Sequence, residues 1–324
     1  MLFSFFSIWN DIANASRFLL AVKVKYTEKL TFEKLYRMLE FWSRFGLGML
    51  WLLHFLPAPV LRQIGRGIGR LGVVVVPKRR KIVEINLRLC FPELSENERK
   101  KLTRAHFASL GEGMFLESIL YWGSEERIEK IFKIKGLEHA LQDGPRIFFL
   151  SHFTAINWFT LTSKHLASLI SIYRPQKSKA FDDLLKNLRG RYGAELISSR
   201  AGIRDIVKAM KKGKPYLCLP DHDLGRRESV FVPFFGIATA TTPVLSRLAK
   251  LANAKVIPTI TRLTPEGVEI EFFPAWDNFP TDHVEEDTRR MNAFLEEEIR
   301  KIPEQYFWVH RRFKTRPPGE TKFY

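Results

Sequence analysis

From Ile147 onward the chain alternates short apolar runs with longer amphipathic segments, and no other feature constrains its fold as tightly. The runs predict strands at Ile147 to Leu150, Leu169 to Tyr173, Glu195 to Ile197, Tyr216 to Leu219, Lys255 to Thr261 and Val268 to Phe273. Between them, helices are predicted at Lys179 to Arg191, Gly202 to Lys212 and Thr242 to Leu251. A long polar helix follows at His283 to Lys301, with Met291, Phe294, Leu295 and Ile299 as its apolar face. Such alternation specifies an α/β domain with a mostly parallel sheet flanked by helices. Upstream, Ile82 to Phe91 and Glu96 to Leu120 place apolar residues three and four apart and read as helices. Ser95 caps the second of these, with Glu98 three residues on. There is no internal repeat and no low-complexity linker.

The 324 residues are 45% hydrophobic and 27% charged, the balance of a globular protein and not of a disordered one. A formal charge of +17 calls for an anionic partner: nucleic acid, an anionic membrane surface, or an acidic or phosphorylated substrate. Nucleic acid is disfavoured, because the basic residues are scattered, with no reading helix or aromatic platform. Cys90 and Cys218 lie far apart without metal-ligand spacing, which argues against a disulfide framework or a zinc site and fits a reducing compartment.

Phe45 to Leu61 is a run of seventeen residues without a formal charge, at the low end for a membrane span, and Pro57 and Pro59 interrupt it. Two readings follow: a membrane-embedded or interfacial helix, or a helix hairpin buried in a soluble protein. Arg62, Arg66, Arg70 and the cluster Lys78, Arg79, Arg80, Lys81 come next, and the positive-inside rule places this flank in the cytoplasm. The expected organisation is a leader and membrane-associated helical region at 1–78, then a cytoplasmic domain at 79–324. Met1 to Phe6 lacks the basic leader of a signal peptide.

The chemistry centres on His152, which follows the apolar run Ile147 to Ser151 and so falls beyond the carboxyl end of a strand, where ligands gather in parallel sheets. A histidine there, with Asn157 five residues on to orient it, has the pattern of a general base, although Asn157 is not a carboxylate. Arg174 and Lys177 follow the strand ending at Tyr173, where cationic groups suit phosphate recognition. Asp221, His222 and Asp223 follow another strand, with Arg226 close behind. No further ligand has diagnostic spacing, so metal binding is not expected, and Asp221 reads as an orienting carboxylate or an arginine partner. The chain has no glycine-rich phosphate loop and no Gly-x-Ser-x-Gly elbow, which argues against nucleotide-driven chemistry and ordinary serine hydrolysis.

A set of segments in a fixed order adds to this reading. They are Pro77 to Arg80, Ile85 to Leu87, Cys90 to Glu93, Ser151 to Ala155, Leu219 to Asp221, Phe231 to Gly236, Ala240 to Thr242, Tyr306 to Trp308 and His310 to Pro317. Over about Phe41 to Tyr324 the chain resembles the late acyltransferases of lipid A biosynthesis, relatives of the glycerophosphate acyltransferases. The resemblance implies a glycerophosphate-acyltransferase-like fold and transfer of a fatty acyl chain from acyl carrier protein to a hydroxyl of a Kdo-lipid A precursor. It implies His152 as general base and Arg174, Lys177, Asp221 and Arg226 as substrate-binding residues. It implies neither cofactor nor metal, and a location on the cytoplasmic face of the anionic inner membrane. Phe234 and Phe235 line an acyl path or fill the core, and core packing is favoured. The chain departs from the family at position 157, where the family's motif sets aspartate or glutamate five residues after the histidine. Asn157 leaves open an inactivating replacement, a variant with retained activity, and a catalytically weak lipid-binding paralogue, and Asn157→Asp is expected to raise acyl transfer. Another lipid acceptor also remains open.

Overall fold

The computed structural model describes residues 32–324 apart from 167, 174, 177 and 199–201, so Arg174, Lys177 and most of the leader lie outside the described residues. Among the described residues four helices come first: α1 (Phe32–Leu53), α2 (Ala58–Val75), α3 (Pro77–Cys90) and α4 (Glu96–Trp122). The short α5 (Glu125–Glu129) leads to β1 (Phe132–Lys135), α6 (Leu137–Ala140) and β2 (Arg146–Phe149). Then come β3 (Ile170–Tyr173), α7 (Lys179–Arg191), β4 (Glu195–Ser198), α8 (Ile203–Lys211) and β5 (Tyr216–Cys218). The chain continues through β6 (Val230–Phe234), β7 (Ile237–Thr241), α9 (Val244–Ala252), β8 (Lys255–Thr264), β9 (Gly267–Phe272) and α10 (Val284–Lys301).

Seven strands form one sheet in the order β1-β9-β8-β2-β5-β3-β4, and β6 and β7 form a separate antiparallel pair. From β8 to β4 every pairing in the sheet is parallel, while β9 runs against β8 and carries β1 parallel to itself. The mostly parallel sheet flanked by helices matches the sequence reading. Both faces of β2 are covered, which is why it reads as an unbroken apolar run. Ile147 and Phe149 pack with Leu245 and Leu248 of α9 and Met291 of α10. Phe148 and Leu150 pack on the other side with Phe159, Leu166 and Ile257.

The uncharged stretch from Phe45 to Leu61 is two helices with a turn between them. Pro57 caps α2 and Pro59 sits in its first turn, where no N–H partner is required, so one continuous helix cannot form. Among the described residues no helix is long and apolar enough to cross a membrane. α1 lies against α4 and α7, and α2 runs along α4. Glycines set that second crossing: a Cβ on Gly69 would stand 2.1 Å from the Phe107 carbonyl oxygen, and one on Gly111 would stand 2.1 Å from that of Gly65. Arg62 and Arg66 of α2 close the same seam on the buried Glu112, at 2.5 and 2.7 Å. α4 begins in the expected capping box: Ser95 Oγ accepts from the Glu98 amide, and Glu98 Oε2 accepts from the Ser95 amide.

Candidate active site

β2 and β5 are neighbours in parallel register, Phe149 opposite Cys218. His152 lies three residues beyond the first strand and Asp221 three residues beyond the second, so equal steps off adjacent strand ends bring them together. His152 Nδ1 donates to Asp221 Oδ1 at 2.7 Å, and the His152 amide donates to Oδ2 at 2.9 Å. Asp221 is fully buried. Burial alone would push its carboxyl up, but the charge and hydrogen bonds of His152 outweigh that and hold it well below the ordinary carboxylate range. A carboxylate at Nδ1 leaves the lone pair of the neutral ring on Nε2. This is the arrangement that makes an imidazole a proton acceptor.

Asn157 does not orient the ring. It stands in the 3-10 helix Ile156–Lys164, and its Nδ2 donates to Glu117 Oε1 of α4 at 2.8 Å. The other Glu117 oxygen accepts from Tyr121 at 2.7 Å. The sequence reading fails here because a spacing of five puts Asn157 on a turn that faces α4, while the carboxylate for His152 arrives from another strand. Burial pushes Glu117 up to about 7 despite both hydrogen bonds.

Asp221 carries two readings from the sequence, an orienting carboxylate and a substrate-binding residue, and in the structure its carboxylate lies on the His152 ring and amide. Arg226 is exposed and bonds the Arg316 carbonyl at 3.4 Å. The guanidinium of Arg189 in α7 lies over the Tyr173 ring, and its buried Nη1 has no hydrogen-bond partner among the described residues. Phe234 packs in the core with Tyr306 and Phe313, and Phe235 against Trp308 and Phe91.

The loop carrying His152 is tied to the segment after α10. The Thr154 amide and hydroxyl both donate to the Gln305 carbonyl at 2.9 Å, and Phe153 bridges to Tyr306. Gln305 is fixed in turn by two side-chain hydrogen bonds to the backbone of Leu263 in β8. Asp223 accepts from the Thr315 amide and hydroxyl at 2.6 and 2.8 Å. Three imidazoles, His152, His222 and His310, stack face to face in the space between. Among the described residues no group of histidine, cysteine or acidic side chains is arranged to hold a metal ion.

Beside this centre is an apolar cavity of about 470 Å³, walled by Leu47 and Leu50 of α1, Ile68 and Gly72 of α2, and Leu110 and Met114 of α4. Phe307 also lines it, and the Phe307 ring lies 6.4 Å from that of His152, so one side chain separates the cavity from the imidazole. Its volume falls in the range of about 300–1,000 Å³ usual for small-molecule sites.

A histidine held by a buried carboxylate beyond the carboxyl edge of a parallel sheet, one side chain away from an apolar cavity, is an arrangement able to accept a proton. The chain belongs to the bacterial lipid A biosynthesis acyltransferase family, whose model matches residues 29–315. It is 36% identical over 281 residues to the lipid A biosynthesis lauroyltransferase of Escherichia coli K12, covering 85% of this chain and 92% of that protein. It is 34% identical over 288 residues to the palmitoleoyltransferase of the same organism, covering 86% and 93%. With that organism's myristoyltransferase it shares 30% over 306 residues, covering 90% and 93%. Among solved structures it is similar to a 1-acyl-sn-glycerophosphate acyltransferase from Thermotoga maritima, with 13% identity, a TM-score of 0.36, and coverage of 80% of this chain and 98% of that one.

Proposed function

We propose that this acyltransferase moves a fatty acyl chain from acyl carrier protein to a hydroxyl of a Kdo-bearing lipid A precursor, with His152 as the general base and no cofactor. The observation that carries the reading is the His152–Asp221 pair, whose 2.7 Å bond leaves Nε2 to take a proton, beside a cavity suited to an alkyl chain. In the reaction the acceptor hydroxyl gives its proton to His152 Nε2 while its oxygen attacks the thioester carbonyl carbon. The carbon–sulfur bond then breaks, and the departing sulfur takes the proton back from the imidazolium. Asp221 stabilises that imidazolium. Its presence also removes the reason for reading Asn157 as the mark of a binder without turnover.

The basic charge of the chain suits three acidic partners, namely the carrier protein, the phosphorylated glycolipid and an anionic bilayer. Exposed Phe41, Trp42, Phe45 and Phe55 on and after α1, with Leu71 and Val74 on α2, support seating at the cytoplasmic face of the inner membrane. The unpartnered Nη1 of Arg189 supports a role in holding an anionic group of the substrate. The three Escherichia coli relatives are named for three different acyl chains, so membership of the family leaves the chain length of this protein to measurement.

The test is incubation of the purified protein, and of its His152→Ala and Asp221→Asn variants, with acyl carrier proteins of different chain length and the tetra-acylated Kdo-bearing precursor, followed by mass spectrometry of the lipid. The expected result is addition of one acyl chain by the unsubstituted protein, with both variants slower by on the order of 10²–10⁴. No product from any donor, or full activity in His152→Ala, overturns the reading.

A further inference from the structure

The acid–base pair accounts for one edge of the His152 ring but not for its face. That face lies on His222, with ring centroids 3.6 Å apart and planes 9° from parallel. His222 in turn lies on His310, at 4.0 Å and 17°. The three rings come from three separate segments: the loop after β2, the loop after β5 and the segment after α10. Phe307 stands 6.4 Å from both His152 and His222 and closes the side of the column toward the cavity.

We propose that His222 is a positioning residue for acyl transfer, its imidazole face fixing the plane of the His152 ring and stabilising that ring while it carries the acceptor's proton. This rests on His152 being the base. A ring held by one hydrogen bond at Nδ1 still pivots about that bond, and each pivot swings Nε2 away from the hydroxyl it must meet. A second ring on its face removes that freedom.

The groups around the column favour the uncharged state that the role requires. Burial pushes His222 well below the ordinary histidine value and His310 down to about 4, and the charge of His152 adds to both effects. Asp221 opposes this at both rings, and at His310 so does Asp223, while Arg312 reinforces it. The Asp223 amide donates to His310 Nε2 at 3.3 Å, which also fits a neutral ring. An uncharged aromatic face attracts a cation laid against it, whereas a charged one would oppose proton uptake by His152. His222 Nε2 is buried and has no hydrogen-bond partner among the described residues, so stacking and not a polar contact at that atom fixes the ring.

The experiment compares His222→Leu, which keeps bulk and loses the aromatic face, with His222→Phe, which keeps the face. Each is assayed with the acyl carrier and precursor that serve the unsubstituted protein, and folding is checked by thermal melting. The expected result is a fall in kcat of about tenfold in the leucine variant with little change in KM, and recovery to within about threefold in the phenylalanine variant. Equal kcat in the leucine variant and the unsubstituted protein, or an equal loss in both variants, overturns the proposal. A second readout is independent of turnover. In protein labelled with ¹³C-histidine, the His152 ring signal is expected to keep its place in the phenylalanine variant and to move toward that of free histidine in the leucine variant. An unmoved signal in the leucine variant overturns the stacking role even if no acyl transfer is detected, while a moved signal with full activity in His152→Ala overturns the base assignment instead.

Discussion

Asn157→Asp is expected to cost stability and to leave acyl transfer no faster, where the family pattern alone suggests a gain in transfer. The Asn157 amide donates to Glu117 Oε1 at 2.8 Å, so the substitution turns a donor into a second acid at that distance. Two full charges 2.8 Å apart repel by about 6 kcal/mol at an effective dielectric of 20. That exceeds the roughly 1.4 kcal/mol per pH step several times over, so the pair holds one proton well past neutrality. Glu117 alone already sets a pH dependence. Its folded value of about 7 lies above the ordinary 4.5, so its contribution to stability is complete below pH 4.5 and is lost as pH rises to about 7. That interval corresponds to about 3 kcal/mol. Urea unfolding at pH 5, 6, 7 and 8 reads it directly. Glu117→Gln is expected to match the unsubstituted protein near pH 4.5 and to exceed it by up to about 3 kcal/mol at pH 8, because the amide does not titrate. Asn157→Asp is expected to steepen the loss without raising acyl transfer, since Asp221 already holds the His152 ring. The double variant is expected to recover about 0.5–3 kcal/mol over the sum of the single changes, as glutamine restores a donor to the pair. Parallel pH curves for the unsubstituted protein and Glu117→Gln would refute the reasoning, as would an Asn157→Asp protein that is more stable at pH 8.

Two further expectations concern the helices around the cavity. Gly69→Ala should cost about 1–3 kcal/mol in thermal denaturation, because its Cβ would stand 2.1 Å from the Phe107 carbonyl, whereas Gly67→Ala, with nothing within 4 Å, should be neutral or stabilising. Met114→Trp should narrow the apolar cavity and shift preference toward shorter acyl donors in a competition assay scored by mass spectrometry, while leaving the His152 pair intact.

The sheet was legible because its central strands, β2 and β8, are buried on both faces and its helices carry a clear apolar stripe; α7 spans Lys179–Arg191, the range its pattern predicted. β1 escaped notice because it has four residues and exposes alternate lysines. The β6–β7 pair escaped for another reason. Its turn places Phe235 and Gly236 at positive φ, 49° and 73°, so a phenylalanine stands where the sequence signal for a hairpin is asparagine or aspartate. Within the site, His152 and Asp221 stood out because each follows a strand end. Glu117 did not: it sits in a long helix forty residues before Asn157, and nothing local distinguishes a helix carboxylate that will be buried from one that will be solvated. The stacking of His222 on His152 was equally silent, since it depends on how three separate segments converge.

The ties from Thr154 to Gln305 and from Asp223 to Thr315, with His310 closing the imidazole column, set an order on assembly. Every strand of the sheet precedes residue 273, so during synthesis the whole β scaffold emerges before the segment that fastens the base loop. A chain halted between the two carries both His152 and Asp221 but lacks the partners of Thr154 and Asp223, which arrive only with residues 303–315.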